Sequence, residues 1–505
     1  MLRKVKVKNG WVQGIPAADP RITAFKGIPF AAPPVGENRW RAPQPAADWD
    51  GVLECYKFAP ISMQHVPGLD PDNIYSREWN VDPTIEMSED CLYLNVWTPA
   101  KSADEKLPVF VWYFGGGLRE GNTQEMEFDG ERIARRGVVV VTVNYRLNVF
   151  GFLSHPQLFA EQPDAPANFG HLDQQYGTRW VKENIAAFGG DPDNITIGGQ
   201  SAGGHSVTAQ ITSPTNEGLI KKAIIMSGMG AEIYKPAFFT LFPEKDAALE
   251  RGVKFFEFLG VETLEEARKI DAVTLRDKCE EFGGMWGTIV DDKFQFGPIA
   301  ERLQTGKRLQ IPLMIGCTVG ETRPGVFAKD MDGVKVTAEA SFGENADKFL
   351  SIVGDTIEEV HANTILNNAE VAVNTMLKVE KEAGWDYPIY YYQFNPEMPG
   401  WDNPGTFHSS DLWFFFENLA KCWRPFVGKH YDLSRQMCNY WSNFFKCGDP
   451  NGNDADGTAM PAWKPYKAEE KNIMYFGDAC EPFVRENQLE LLDLLVETNN
   501  KNLGV

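Results

Sequence analysis

The chain has 505 residues, 43% hydrophobic and 24% charged, which is the balance of a globular protein with a large core and little disorder. Its formal net charge of −21 disfavours nucleic acid and anionic membrane surfaces as partners. No apolar run reaches the about 20 residues of a membrane span, and Met1-Leu-Arg-Lys-Val-Lys-Val-Lys lacks the apolar stretch of a signal peptide, so the cytoplasm is the expected location.

Lys4 to Gly14 alternates between polar and apolar residues and predicts a hairpin. Residues 27–36 are too rich in proline and glycine for long regular elements. Leu107–Tyr113, Val138–Asn144 and Asn194–Gly199 are apolar on both faces, the pattern of inner strands in a parallel sheet. A helix is predicted between the last two, over Asp173–Phe188, and later strands at Lys222–Met226, Ile311–Ile315 and Pro388–Gln393. Alternating strands and helices imply an α/β fold with a large, mostly parallel central sheet and helices on both faces. The stretches 231–308 and 338–384 are helical and amphipathic, and are expected to be insertions over the catalytic edge of one domain spanning 1–505. A separate helical domain is the alternative. The eight cysteines are scattered without zinc or redox spacing, which suggests reduced thiols, and no metal or cofactor is expected.

Gly199-Gln200-Ser201-Ala202-Gly203 falls between a strand pattern and a small-residue helix start. That context is the nucleophile elbow of α/β-hydrolases, where a tight turn lifts a serine above the sheet edge. A serine hydroxyl needs a histidine base, and the base needs an acid; in this fold the chain order is serine, acid, histidine. Of the seven histidines, His361, His408 and His430 follow a suitable acid. His361 falls within a helical pattern and His430 follows a basic run, whereas His408 lies in a small-residue loop after an aromatic strand. His205, one turn down the elbow helix, is read as a packed structural histidine. Glu321 follows the strand Ile311–Ile315 and is well placed for the acid, with Asp291, Asp292 and Asp330 as rivals by position alone. Phe114-Gly115-Gly116-Gly117 follows a strand directly, so the amides of Gly116, Gly117 and Ala202 are the expected oxyanion donors.

With these features in place the sequence resembles the type-B carboxylesterase/lipase family over nearly its whole length. Two motifs carry the resemblance: Glu89-Asp90-Cys91-Leu92-Tyr93-Leu94-Asn95-Val96, and the run from Phe188 through Gly204 around the elbow. Phe25–Pro29, Asn144–Leu147, Asn168–Gln174 and Gly448–Gly452 support it. The resemblance implies an α/β-hydrolase fold, hydrolysis of small carboxylic esters through a serine acyl-enzyme, Glu321 as acid and His408 as base. The departures are Phe114 before the glycines, Gly320-Glu321-Thr322 in place of Asp-Glu-Gly, and Gln200 where cholinesterases carry glutamate. Secreted animal members pair the cysteine matching Cys91 with one upstream, where this chain has Ser62-Met63-Gln64. Cys91 is therefore expected as a buried thiol, with a Cys55–Cys91 bridge as the alternative. Together these features suggest a bacterial-type general carboxylesterase. Feruloyl or acetyl esterase action on plant-polysaccharide esters, and transacylase or amidase action, remain alternatives. Phe114, Trp286, Trp413 and Phe414 are candidates for an aromatic substrate pocket, against plain core packing for each.

Overall fold

The computed structural model describes residues 1–66, 72–79, 82–235, 243–321, 326, 328–364 and 368–505. Within them the strands in chain order are β1 (Lys4–Val7), β2 (Gly10–Gln13), β3 (Ile15–Pro16), β4 (Thr23–Pro29), β5 (Val52–Glu54), β6 (Tyr93–Thr98) and β7 (Leu107–Tyr113). They continue as β8 (Val139–Val143), β9 (Gly190–Gln200), β10 (Lys222–Met226), β11 (Leu313–Thr318), β12 (Ile389–Phe394), β13 (Asn472–Phe476) and β14 (Cys480–Val484). The predicted hairpin is β1–β2, and β5 lies parallel beside β2 to make a small three-stranded sheet.

The other eleven strands form one sheet in the order β14-β13-β12-β11-β10-β9-β7-β8-β6-β4-β3. From β8 to β13 every neighbouring pair is parallel. The pairs at the two margins are antiparallel. This is the sheet of an α/β-hydrolase. Its inner strands alternate strictly: Phe110, Trp112, Val140, Ile224 and Met314 enter the core on one face, while Val109, Val111, Val139, Ala223 and Leu313 enter the core on the other. Each face needs a helical cover. Helices Phe169–Asn184 and Ala202–Thr212 supply Val181, Val207 and Ile211 on one side, and Gly428–Cys447 supplies Trp441, Phe444 and Phe445 on the other. Phe445 stacks on Phe110 at 4.3 Å.

β11 and β12 begin just after Pro312 and Pro388, later than the apolar runs predicted, because proline has no N–H to donate to the ladder. The first predicted insertion contains helices Lys245–Leu259, Leu264–Lys269, Ala272–Phe282 and Ile299–Gln304. The second begins earlier than predicted, at Met331, because the carboxylate of Asp330 accepts the Gly333 N–H at 2.8 Å and caps the helix Met331–Phe342. Parts of both predicted insertions, 236–242 and 365–367, lie outside the described residues.

Motif residues tie these layers together. Arg39 pairs with Glu89 at 2.6 Å and donates to the carbonyls of Ala267 and Ile270, tying the end of the helix Leu264–Lys269 to the Glu-Asp-Cys motif. Arg146 and Asp173, both buried, pair at 2.6 Å and join the end of β8 to the helix Phe169–Asn184. All eight cysteines are free thiols in the structure, Cys55 and Cys91 included. Among the described residues no helix is long and apolar enough to cross a membrane.

Candidate active site

β9 ends at Gln200 and a helix begins at Ala202, so the whole reversal falls on Ser201. Its φ of 56° and ψ of −124° are unfavourable for any residue with a Cβ. Neighbouring groups hold it there: its N–H donates to the Met226 carbonyl at 2.9 Å, and its carbonyl accepts from the His205 N–H at 2.9 Å. The flanking glycines are steric requirements. A Cβ on Gly203 would stand 2.1 Å from the Tyr113 carbonyl oxygen, and one on Gly199 would stand 2.4 Å from the Gly203 backbone. The turn also presents the serine at the positive end of an 11-residue helix.

β9, β10, β11 and β12 are consecutive parallel neighbours, and the residues after their C-terminal ends converge. These are Ser201, Ser227, Glu321 and His408. Gly320 and Phe407 form a parallel bridge between the loops after β11 and β12, and the Gly320 N–H donates to Thr406 Oγ1 at 3.3 Å. The next residue on each side is then Glu321 and His408, whose Oε2 and Nδ1 lie 2.5 Å apart. The other ring nitrogen of His408 lies 3.4 Å from the side-chain nitrogen of Gln200, the residue before Ser201. Glu321 Oε1 accepts from the Ser227 hydroxyl at 2.6 Å, from Thr318 Oγ1 at 3.0 Å and from the Thr318 N–H at 3.2 Å. Burial pushes the Glu321 carboxyl up, but His408 together with the Ser227 and Thr318 hydrogen bonds outweighs it and holds the group below its ordinary value.

The glycine loop lies against the elbow: a Cβ on Gly115 would stand 2.7 Å from the Gln200 carbonyl oxygen and 3.2 Å from Ser201 Cβ. Gly116 has φ +99° and its carbonyl accepts from the N–H groups of Arg119 and Glu120. Gly117 follows at φ +66°, and Ala202 is buried at the head of the elbow helix.

The rival residues have other tasks. Asp330 caps a helix, and Asp291 accepts from the N–H groups of Lys293, Phe294 and Gln295 within a turn. His361 contacts the Ala328 carbonyl at 3.0 Å, and His430 accepts from the Val427 N–H at 3.0 Å. The four predicted pocket aromatics are all buried in one core cluster. Phe114 stacks on Tyr145 at 4.3 Å, and Trp286 packs on Phe255 and beneath Arg251. Phe414 meets Phe394 and Phe426, and Trp413 meets Trp79. Trp79 and Tyr75 in turn pack on Phe407, beside His408. Thr322 of the acid loop lies outside the described residues.

Sequence reasoning missed Ser227, Thr318, Trp79 and Asp411, which is buried one turn beyond His408. Ser227 carried one usable signal, as the residue directly after the strand that neighbours the elbow strand. Among the described residues no group of three or more His, Cys, Asp or Glu is arranged to hold a metal ion.

A serine on a strand–helix turn, with a histidine–carboxylate pair brought in from the strands beyond it, marks an α/β-hydrolase of the serine-esterase class. The model of the carboxylesterase family matches residues 2–353 and 353–491. The chain is 31% identical over 494 residues to the para-nitrobenzyl esterase of Bacillus subtilis (strain 168), covering 93% of this chain and 94% of that one. It is 29% identical over 502 residues to a cholinesterase of Mus musculus, covering 91% and 81%. A solved PNB esterase superposes with a TM-score of 0.80 at 27% identity, covering 98% of this chain and 99% of that one. A Geobacillus stearothermophilus carboxylesterase superposes at 0.74 with 31% identity, covering 97% and 99%. The chain belongs to the carboxylesterase family, and its reaction is the hydrolysis of carboxylic esters by a serine enzyme.

Proposed function

We propose that Ser201 is the nucleophile, His408 the general base and acid, and Glu321 the carboxylate that orients and stabilises the imidazolium. The contact that carries this reading is the 2.5 Å approach of Glu321 to His408 Nδ1. It leaves the second ring nitrogen facing the elbow, where it takes the Ser201 proton as the hydroxyl attacks the ester carbonyl. The amides of Gly116, Gly117 and Ala202 receive the oxyanion. His408 then protonates the leaving alcohol, and water repeats the sequence to release the acid. Trp79, Phe407 and Trp413 provide an aromatic wall beside His408 for the apolar part of a small ester. The helices within 231–308 and 331–384 are insertions of a single domain spanning 1–505. Eight free thiols suit a reducing compartment, the cytoplasm.

The test is Ser201→Ala on a panel of p-nitrophenyl, feruloyl and acetyl-sugar esters, with and without a competing alcohol acceptor. Hydrolysis should fall by about 10⁴-fold or more, and intact-mass spectra of the wild type with a slow ester should show an acyl adduct that the variant lacks. Full activity in the variant overturns the assignment.

A further inference from the structure

Arg424 is buried in the loop after the short turn Leu419–Lys421, and its side chain reaches two other segments of the chain. Its Nε donates to both oxygens of Glu78, at 3.0 and 2.8 Å. Its Nη1 donates to Asp402 Oδ1 at 3.0 Å and to the Pro399 carbonyl at 3.1 Å, and its Nη2 donates to Asp402 Oδ2 at 3.1 Å. Arg77 brings a second cation to Asp402 at 3.2 Å, so two arginines balance two carboxylates. The planar fork of an arginine holds two carboxylates in fixed directions, which the single nitrogen of a lysine does not. The mechanism above gives Arg424 no task.

The network joins the two sides of the aromatic wall beside His408. Glu78 closes the helix Ile74–Glu78, whose Tyr75 packs on the Phe407 ring at 6.2 Å, and the next residue, Trp79, packs on the same ring at 6.5 Å. Pro399 and Asp402 lie in the loop that runs from β12 to Phe407 and His408. The guanidinium of Arg424 itself stands 5.6 Å over the Phe407 ring. Tyr75 and Trp79 are half-buried and keep part of their surface open, whereas Trp413 behind Trp79 is fully buried. A five-residue helix is too short to hold itself in place, and these ion pairs tie it to the histidine loop. Desolvation offsets most of the attraction in buried ion pairs, so their main effect here is to fix direction and spacing.

We propose that Arg424 is a positioning residue for substrate selection: it holds the Trp79 ring at a set spacing from Phe407, so that the enzyme favours esters carrying a planar aryl group over those carrying an alkyl chain. The proposal rests on the reading of Trp79 and Phe407 as the wall for the apolar part of the ester. Ring stacking is directional, with centroids about 4.5–7 Å apart. A slip of Trp79 therefore costs an aryl ester its contact, while a short alkyl group packs on the displaced ring almost as well.

The experiment compares full-length wild type with Arg424→Gln, Trp79→Ala and the double variant on phenyl acetate and ethyl acetate, with thermal melting alongside. Arg424→Gln should raise KM for phenyl acetate about fivefold or more, with kcat within about threefold and KM for ethyl acetate within about twofold. In the Trp79→Ala background the same substitution should change KM for phenyl acetate by less than about twofold, because no ring is left to position. An equal loss on both esters, an equal loss with and without Trp79, or kinetics that overlay the wild type reduces Arg424 to a structural tie. If Arg424→Gln does not fold, Arg424→Gln combined with Glu78→Gln, which leaves no stranded charge at Glu78, is judged by the same criterion. Failure of the underlying wall reading would show separately, as Trp79→Ala with unchanged KM for phenyl acetate, and would overturn the proposal with it.

Discussion

Replacing Ser227 with alanine removes the shortest of three hydrogen bonds to Glu321 Oε1, the 2.6 Å hydroxyl contact, and leaves the two from Thr318. A hydrogen bond to a charged group contributes about 1.5–3 kcal/mol. Taking about 2 kcal/mol as its preference for the ionised over the protonated carboxyl, Glu321 should titrate roughly 1.5 pH units higher in the variant. The sign follows from the direction of the native shift. The folded protein holds this carboxyl below its ordinary value, so its stabilisation is full above the ordinary carboxylate range and is lost as pH falls through the folded value. Ser227→Ala moves that loss to higher pH, and the enzyme should inactivate in less acidic buffer. At neutral pH Glu321 stays charged but less firmly oriented, and kcat should drop about tenfold. Because Ser227 sits at φ 46°, Ser227→Gly is the control: it removes the same hydroxyl while relaxing the backbone, and should lose activity without losing thermal stability. Activity from acid to neutral pH, with melting curves, reads both effects. Kinetics indistinguishable from wild type at every pH would refute the claim that Ser227 holds the acid.

Gly116→Ala places a Cβ 2.1 Å from the Glu120 carbonyl oxygen at a backbone φ of +99°. The loop must shift, and kcat should fall about 10²-fold with a smaller effect on KM; a loss of less than about threefold would argue against an oxyanion role for this loop. Arg146→Ala strands the fully buried Asp173 carboxylate. Chemical denaturation should show a loss of about 3–5 kcal/mol, and a loss below about 1 kcal/mol would mean the pair is not a structural tie.

The elbow was legible because its requirements are local. Gly199, Ser201 and Gly203 lie within five residues, and a Cβ on Gly199 would strike the Gly203 backbone within the turn, although the neighbour that excludes one on Gly203 is the Tyr113 carbonyl at the end of β7. The inner strands were legible for a similar reason: a strand covered on both faces must be apolar throughout, as β8 is from Val139 to Val143. The acid was less legible. Glu321 is one of 70 acidic residues, and its position after a strand did not separate it from Asp291 or Asp330 until the first was seen building a turn and the second capping a helix. The aromatic run Trp413–Phe416 showed that a dense core follows His408, but composition does not distinguish a ring facing substrate from one facing another ring.

The linear order of residues determined the chemistry available: a strained serine turn, a glycine loop after β7, and a histidine and a carboxyl each placed beyond a later strand. Tertiary structure decided which of those groups meet. Glu321 and His408 are 87 residues apart and come within 2.5 Å because β11 and β12 are parallel neighbours whose loops bridge at Gly320 and Phe407. The same lateral order of strands brings the Ser227 hydroxyl to Glu321. A carboxyl's role depends on the donors and charges around it, and those come from strands distant in the chain.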